Sequence, residues 1–141
     1  MAANKANERA VSLTIAAPAA ANGGIGPVTG DPLLLGVLAC VAQNSYTPPT
    51  GKASGNIAAD FEGAYFLEVT ADSTLSPAAG KAINPGDPVY YKGGTLDGTT
   101  NVTYGGTLCA DGSGVFFGNA LDALGGGLTG TIRVRLQGKA A

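Results

Sequence analysis

The sequence predicts an all-β fold made of many short strands joined by glycine-rich turns. Glycine accounts for 23 of the 141 residues and proline for eight, a content of helix-breaking residues that is too high for long helices. Apolar residues recur along the chain in short runs between clusters of turn-forming residues, which is typical of packed β proteins and not of disordered chains. A chain of this length needs only one domain and one core.

The N-terminal segment predicts an extended arm followed by one strand. Residues 1–9 are mostly small and polar, whereas residues 11–15 alternate apolar and polar side chains, which is the period of a half-buried strand. Residues 16–26 are rich in alanine, glycine and proline and predict a loop. We therefore divide the chain into an arm with one strand over residues 1–25 and a main β domain over residues 26–141.

The longest apolar run covers residues 33–42 and predicts a buried strand with a bend at Gly36. Helix is the competing prediction, because leucine and alanine dominate the run, but the preceding proline and the internal glycine favour a strand. The run is about half as long as a membrane-spanning helix requires. We therefore expect no membrane partner.

Further strands are predicted where β-prone residues alternate or cluster between turn signals. They cover residues 56–59, 64–69, 89–92, 101–103, 107–110, 115–118 and 131–136. The predicted connections are a surface loop over 43–55, a linker over 71–83 with a short helical turn at 77–81, a turn cluster over 93–98, and a brief helix or turn over 119–124.

The last predicted strand has two unlike faces, because successive side chains of a strand point in opposite directions. The apolar face consists of Ile132, Val134 and Leu136. The polar face consists of Thr131, Arg133, Arg135 and Gln137. We expect the apolar face to complete a sheet or barrel, and the arginine face to lie in solvent or against a partner.

Two further patterns bear on the fold. The tripeptide Gly-Asp-Pro occurs at residues 30–32 and 86–88, each time directly before a predicted strand, which predicts two equivalent corners of a small barrel. Adjacent aromatic pairs occur at residues 90–91 and 116–117. One ring of each pair is expected in the core, and the other at the surface or at an interface.

The composition argues against several functional classes. Ten acidic residues outnumber eight basic ones, which gives a net charge of −2, whereas nonspecific nucleic-acid binding needs a basic surface. The chain has no histidine, which excludes His-dependent nucleophiles and Cys/His zinc sites. For Cys40 and Cys109, buried free thiols are favoured over a disulfide.

No motif predicts catalysis or cofactor binding. Three Gly-Lys pairs are each followed by alanine, where a phosphate-binding loop needs Ser or Thr. The GxGxxG spacing over residues 125–130 precedes a predicted strand and not the helix that a dinucleotide site requires. Glu62 and Glu68 form a conceivable carboxylate pair, but two solvated residues are the favoured interpretation. We therefore predict a non-enzymatic protein without a metal or cofactor.

Four segments together resemble the capsid cement (decoration) proteins of tailed bacteriophages, a family formerly described as a domain of unknown function. The segments, in the family's order, are GPVTGDPLLLG at 26–36, FEGAYFLEV at 61–69, INPGDPVYY at 83–91 and IRVRL at 132–136. Tyr91 stands where the family commonly has tryptophan. The segment 43–55 and the N-terminal arm depart from the family's pattern.

The resemblance implies a small β-barrel, SH3-like or β-tulip-like, with an extended N-terminal arm. It also implies a structural protein on the outer surface of the expanded phage head, made in the host cytoplasm. There it clamps neighbouring major capsid subunits, commonly as a homotrimer.

The residues expected to contact the capsid or a second subunit come from both ends of the chain. They are Asn4, Lys5 and Arg9 in the arm and Arg133 and Arg135 in the last strand. The alternative function is a β-barrel binding module displayed on the virion, an adhesin or carbohydrate-binding domain. Its predicted contacts are the aromatic residues Tyr46 and Tyr90.

Overall fold

The computed structural model describes residues 12–17, 27–43, 55–71, 82–110 and 112–136, and these residues form eleven strands and no helix. The strands are β1 (Ser12–Ala17), β2 (Pro32–Leu35), β3 (Leu38–Ala42), β4 (Gly55–Asp60), β5 (Ala64–Thr70), β6 (Pro88–Lys92), β7 (Thr95–Asp97), β8 (Val102–Tyr104), β9 (Thr107–Cys109), β10 (Val115–Ala120) and β11 (Thr129–Leu136). The predicted all-β class is confirmed. Asn4, Lys5, Arg9, Tyr46 and the predicted helical turn at 77–81 lie outside the described residues.

The strands form two β structures. Five of them close into a barrel in the order β10-β11-β5-β9-β6, and the other six form a sheet in the order β1-β4-β3-β2-β8-β7. The barrel was predicted and is confirmed, whereas the separate sheet was not predicted. All pairs are antiparallel except β5 with β9, which run parallel over two residue pairs.

The apolar run over residues 33–42 is a hairpin and not one bent strand. Strands β2 and β3 pair from Pro32↔Val41 to Leu35↔Leu38, and Gly36 turns the chain with a φ of 61°. The Gly36 amide donates to the carbonyl of Asn101, and Val37 at the tip is exposed. The prediction was wrong because a two-residue turn interrupts the apolar pattern by one glycine only.

Two other connections differ from their predictions. Strand β7 lies inside the glycine cluster at 93–98, which was predicted as turn only. The segment 119–124 contains no helix: its first two residues end β10, and Leu124 forms an isolated bridge with Ile83. Both differences arise because cross-strand partners, which a local pattern does not contain, select the strand conformation.

The main core fills the barrel and continues onto one face of the sheet. Leu34, Ala39 and Val41 of the β2–β3 hairpin pack with the barrel residues, while the alternate residues Leu33 and Cys40 belong to a second cluster. The hairpin is therefore apolar on both faces, which explains why its residues form a continuous apolar run.

The two aromatic pairs divide between core and surface as predicted. Tyr91 and Phe117 are buried and stack with ring centroids 6.1 Å apart. Tyr90 and Phe116 are partly buried and meet edge to face, also at 6.1 Å.

The first Gly-Asp-Pro turn is closed by four hydrogen bonds. The Asp31 amide donates to the carbonyl of Val28, and the Val28 amide donates to the Asp31 carboxylate, both at 2.9 Å. The amide of Gly30, with a φ of 93°, donates to the carbonyl of Ala42, and the amide of Ala42 donates to the carbonyl of Asp31. The turn therefore anchors the start of β2 on the end of β3.

The second Gly-Asp-Pro turn repeats this arrangement bond for bond. The Asp87 amide donates to the carbonyl of Asn84, and the Asn84 amide donates to the Asp87 carboxylate. The amide of Gly86, with a φ of 95°, donates to the carbonyl of Ala120, whose own amide donates to the carbonyl of Asp87. The two turns are equivalent, as predicted, but the prediction that both are corners of the barrel was wrong: the first begins strand β2 of the sheet, and the second begins strand β6 of the barrel.

A third turn shares the glycine and two of the three backbone hydrogen bonds, with a different side chain. Gly127 has a φ of 78°, the Leu128 amide donates to the carbonyl of Gly125, and the amide of Ala71 donates to the carbonyl of Leu128. Leu128 therefore occupies the position of the two aspartates, and its side chain is 55% exposed. Sequence inspection missed this third copy because leucine replaces the aspartate.

Candidate functional site

The outer face of β5 and β11 is the candidate contact surface. The two strands pair over seven residues, with Arg135 opposite Ala64, Arg133 opposite Phe66 and Thr131 opposite Glu68. Exposure alternates along β11, so both arginines are exposed, while Ile132, Val134 and Leu136 are buried. The predicted division of the last strand into an apolar and a polar face is confirmed for residues 131–136.

Arg133 is held by Asp122 in the loop that joins β10 to β11. Its Nε lies 3.0 Å and its Nη2 2.7 Å from the Asp122 carboxylate oxygens, and its backbone amide donates to the same carboxylate at 2.8 Å. These hydrogen bonds lower the pKa of Asp122 to about 2 and raise the pKa of Arg133. Arg133 therefore positions the loop on the outer face of the barrel.

Arg135 differs from Arg133, although it lies only two residues further along the same face. It is exposed, and within the described residues its guanidinium has no hydrogen bond or ion pair. The structure thus distinguishes two arginines that the sequence analysis assigned to the same contact surface. Arg135 is available to bind a carboxylate of another molecule.

Phe66 is the most exposed large apolar residue of the described chain, with 72% of its surface accessible. It lies on the same face as Arg135, because Phe66 and Arg133 are register partners. Sequence analysis missed Phe66 as a candidate. The sequence feature that could have identified Phe66 is its even spacing from Glu68, which places an aromatic ring on the polar face of a strand.

A groove of about 290 Å³ opens beside Phe66, where β5 and β9 diverge. Strand β5 pairs with β11 along its whole length but with β9 only at Val69 and Thr70. The groove is lined by Phe66, Leu67, Glu68 and Thr70 of β5 and by residues 30–32 and 106–108. It therefore lies between the first Gly-Asp-Pro turn and the barrel wall.

The groove is acidic. Asp31 and Glu68 are the charged residues among its described lining residues, which include no lysine or arginine. Below it, the Gly106 amide donates to the hydroxyl of Tyr91 at 2.8 Å. Burial raises the pKa of Tyr91, the Gly106 hydrogen bond opposes that shift, and the negative charge of Asp31 adds to it. The groove therefore favours a cationic group.

A second, smaller groove of about 200 Å³ lies at the second Gly-Asp-Pro turn. Its lining includes Asp87, Pro88 and Tyr90, together with Ile83 and Gly112. A tyrosine ring beside a carboxylate combines an apolar surface with a hydrogen-bond acceptor, which suits a small polar ligand.

The remaining candidate groups do not assemble into a reactive centre in the described part of the chain. No group of three or more Cys, Asp or Glu side chains there is placed to hold a metal ion, and Glu62 and Glu68 are both exposed. Cys40 and Cys109 are buried free thiols, as predicted, and burial raises the pKa of Cys40 to about 12. No helix in the described ranges is long and apolar enough to cross a membrane.

Comparison of the chain with protein families, with curated proteins and with solved structures gives no match.

Proposed function

We propose that this protein is a structural cement protein of a phage capsid, which binds the outer surface of the expanded head and clamps neighbouring major capsid subunits. The observation that carries the proposal is the placement of the four family-like segments. Two of them contain the equivalent turns at 30–32 and 86–88, and the other two contain most of β5 and of β11, which are hydrogen-bonded neighbours. The segments thus supply the corners of the fold and its exposed outer face.

The physical requirements of such a role agree with this fold. A cement protein needs a rigid surface that is repeated many times on a lattice, and it needs no catalytic group. A protein that binds only the expanded shell stabilises that shell by mass action, and many modest contacts add up. A closed barrel that exposes an aromatic residue and an arginine on one face offers such a surface.

Two surfaces are assigned to contacts in the proposed assembly. The N-terminal arm, with Asn4, Lys5 and Arg9, is assigned to the major capsid protein. The outer face of β5 and β11, with Phe66 and Arg135, is assigned to a copy of this chain at an adjacent lattice position. Three copies at each lattice position are expected from the resemblance alone.

Imaging of reconstituted shells tests the proposal. The full chain is mixed with expanded heads that lack it and, separately, with unexpanded procapsids, and both are imaged by electron cryo-microscopy. Density at lattice symmetry positions on expanded heads is expected. Absence of binding to either shell by folded protein would contradict the capsid role. Deletion of residues 1–9 is expected to lower the occupancy, and unchanged occupancy would remove the arm from the contact.

A second candidate function is a binding module displayed on the virion, and the groove at Tyr90 and Asp87 favours it. A glycan array probed with the full chain and with the Tyr90→Ser variant discriminates between the two functions. Specific glycan binding that is lost in the variant would support the module. Binding to expanded heads without any glycan signal would support the cement protein.

A further inference from the structure

We propose that the outer face of β5 and β11 is a two-fold contact between two copies of this chain, in which Arg135 of each copy enters the acidic groove of the other. The contact does not depend on the proposed capsid role, because it joins identical chains in solution. It accounts for three features that the fold leaves without partners in the described residues: the Arg135 guanidinium, the Glu68 carboxylate and the Phe66 ring.

The cation and the acidic groove of one chain cannot reach each other. Arg135 lies opposite Ala64, whereas Glu68 lies opposite Thr131 at the other end of the same face. Four residues separate the two ends, which is roughly 14 Å along a strand, while an ion pair needs about 4 Å. Within the described residues the two groups therefore do not pair with each other, and a second copy of the chain offers each of them a partner of opposite charge.

The positions on the face satisfy two-fold symmetry. Phe66 lies midway between Ala64 and Glu68 on β5. Consider a two-fold axis that lies between the two contacting faces and runs across the strands at the level of Phe66. Rotation about this axis reverses the direction of the strands, so that Arg135 of one copy lies over the Thr131–Glu68 pair of the other. The same operation produces a second, identical ion pair and brings the two Phe66 rings together at the axis. Such self-complementary contacts are the commonest type in homo-oligomers.

The centre and the ends of the contact contribute differently to the free energy of dimerisation. An exposed aromatic at the centre is the kind of residue that anchors interfaces. The charged pairs at the ends contribute modest affinity and fix the register. Because a face of two strands is small against the roughly 800 Å² per partner of a stable interface, we expect a dissociation constant of roughly 10 µM to 1 mM.

Sedimentation of full-length charge variants tests the contact. Wild-type protein is expected to form dimers as its concentration rises, and added salt is expected to weaken them. Glu68→Arg alone and Arg135→Glu alone are each expected to weaken dimerisation by about tenfold or more. A matched control carries a similar charge reversal outside the paired strands: Glu62→Lys, also exposed, in the turn that precedes β5. This control is expected to dimerise like the wild type.

Rescue between chains gives the decisive measurement. In an equimolar mixture of Glu68→Arg and Arg135→Glu proteins, each copy offers the group that the other needs, so dimers are expected to return. A wild-type protein that stays monomeric up to about 1 mM would overturn the proposal. Variants that dimerise normally, or single variants whose mixture does not recover, would also overturn it. Circular dichroism of each variant confirms that it is folded.

Discussion

The hydroxyl of Tyr65 donates a hydrogen bond to the carboxylate of Asp60, and this bond links the last residue of β4 to the second residue of β5. Strand β4 belongs to the open sheet and β5 to the barrel, so the bond holds the crossover between the two β structures. Asp60 is buried, and its other oxygen, Oδ1, has no hydrogen-bond partner among the described residues. The Tyr65 hydroxyl is therefore the main compensation for burying this carboxylate.

Replacement of Tyr65 by phenylalanine is expected to destabilise the protein by about 1–3 kcal/mol at neutral pH, because it leaves a buried carboxylate without its donor. Urea unfolding measures the loss. The matched control is Tyr90→Phe, since Tyr90 has no side-chain hydrogen bond in the described residues. An equal effect of the two substitutions would show that the Asp60 bond contributes nothing.

The same pair predicts a dependence of stability on alkaline pH. Burial, the hydrogen bond to Asp60 and the charge of Asp60 all raise the pKa of Tyr65. A raised pKa in the folded state gives stability that is complete below the unfolded value of about 10 and is lost as the pH rises above it. Wild-type stability is therefore expected to fall more steeply above pH 10 than that of Tyr65→Phe. Parallel pH profiles would contradict this.

The Asp122–Arg133 pair makes a prediction for acidic pH. Because Arg133 lowers the pKa of Asp122 to about 2, the pair stabilises the folded state above the usual pKa of 3.8, and this contribution is lost as the pH falls towards 2. In Arg133→Gln the pKa of Asp122 is expected to return towards 3.8. Carbon-detected NMR titration of the carboxyl group measures it. Arg135→Gln is the control, and an equal shift there would indicate a general field effect.

Much of the fold could be predicted from local sequence, whereas the candidate site depends on which strands pair with each other. The two faces of β11 and the turns at 30–32 and 86–88 were predictable, because alternation and turn chemistry are local. The tie between Arg133 and Asp122 was not, because eleven residues separate the partners. The exposure of Phe66 and the groove at Glu68 also depend on where β9 leaves β5, which no local pattern contains.

The buried cysteines predict a protein with inert thiols. Cys40 and Cys109 are both fully buried, and at pH 8 a pKa of about 12 for Cys40 leaves only about 10⁻⁴ of it as the reactive thiolate. Ellman's reagent is therefore expected to detect almost no thiol in the native protein at pH 8. After denaturation it should detect two. Rapid reaction of either cysteine in native protein would contradict the burial of the two thiols.

Gly118 closes the barrel at a point where no side chain fits. A Cβ atom there would overlap the carbonyl oxygen of Arg135 on the neighbouring strand, next to the register shift in the β10–β6 pairing. Gly118→Ala is expected to destabilise the protein by about 2–3 kcal/mol, because backbone atoms must move. The control is Gly98→Ala, whose added methyl group meets no atom within 4 Å, and whose effect is expected within about 0.5 kcal/mol. Similar melting temperatures for the two variants would contradict the close approach.

Because the third turn shares two backbone hydrogen bonds with the two Gly-Asp-Pro turns, the hydrogen bond to the aspartate carboxylate can be removed from each of those two and added to the third. Asp31→Ala and Asp87→Ala each remove the acceptor for an amide three residues earlier, and each is expected to lower stability by about 0.5–1.5 kcal/mol. Leu128→Asp introduces that acceptor into the third turn, opposite the amide of Gly125. Since Leu128 is exposed, little apolar burial is lost, and stability is expected to rise by up to about 1 kcal/mol.

The control for the added bond is Leu128→Ala, which removes the same side chain without supplying an acceptor. Urea unfolding at pH 7 is expected to give Leu128→Asp a higher free energy of unfolding than both the wild type and Leu128→Ala. Because the new bond needs an ionised carboxylate, the advantage of aspartate over alanine should shrink as the pH falls below about 4. A Leu128→Asp protein no more stable than Leu128→Ala at pH 7 would show that the third turn does not share the geometry of the other two.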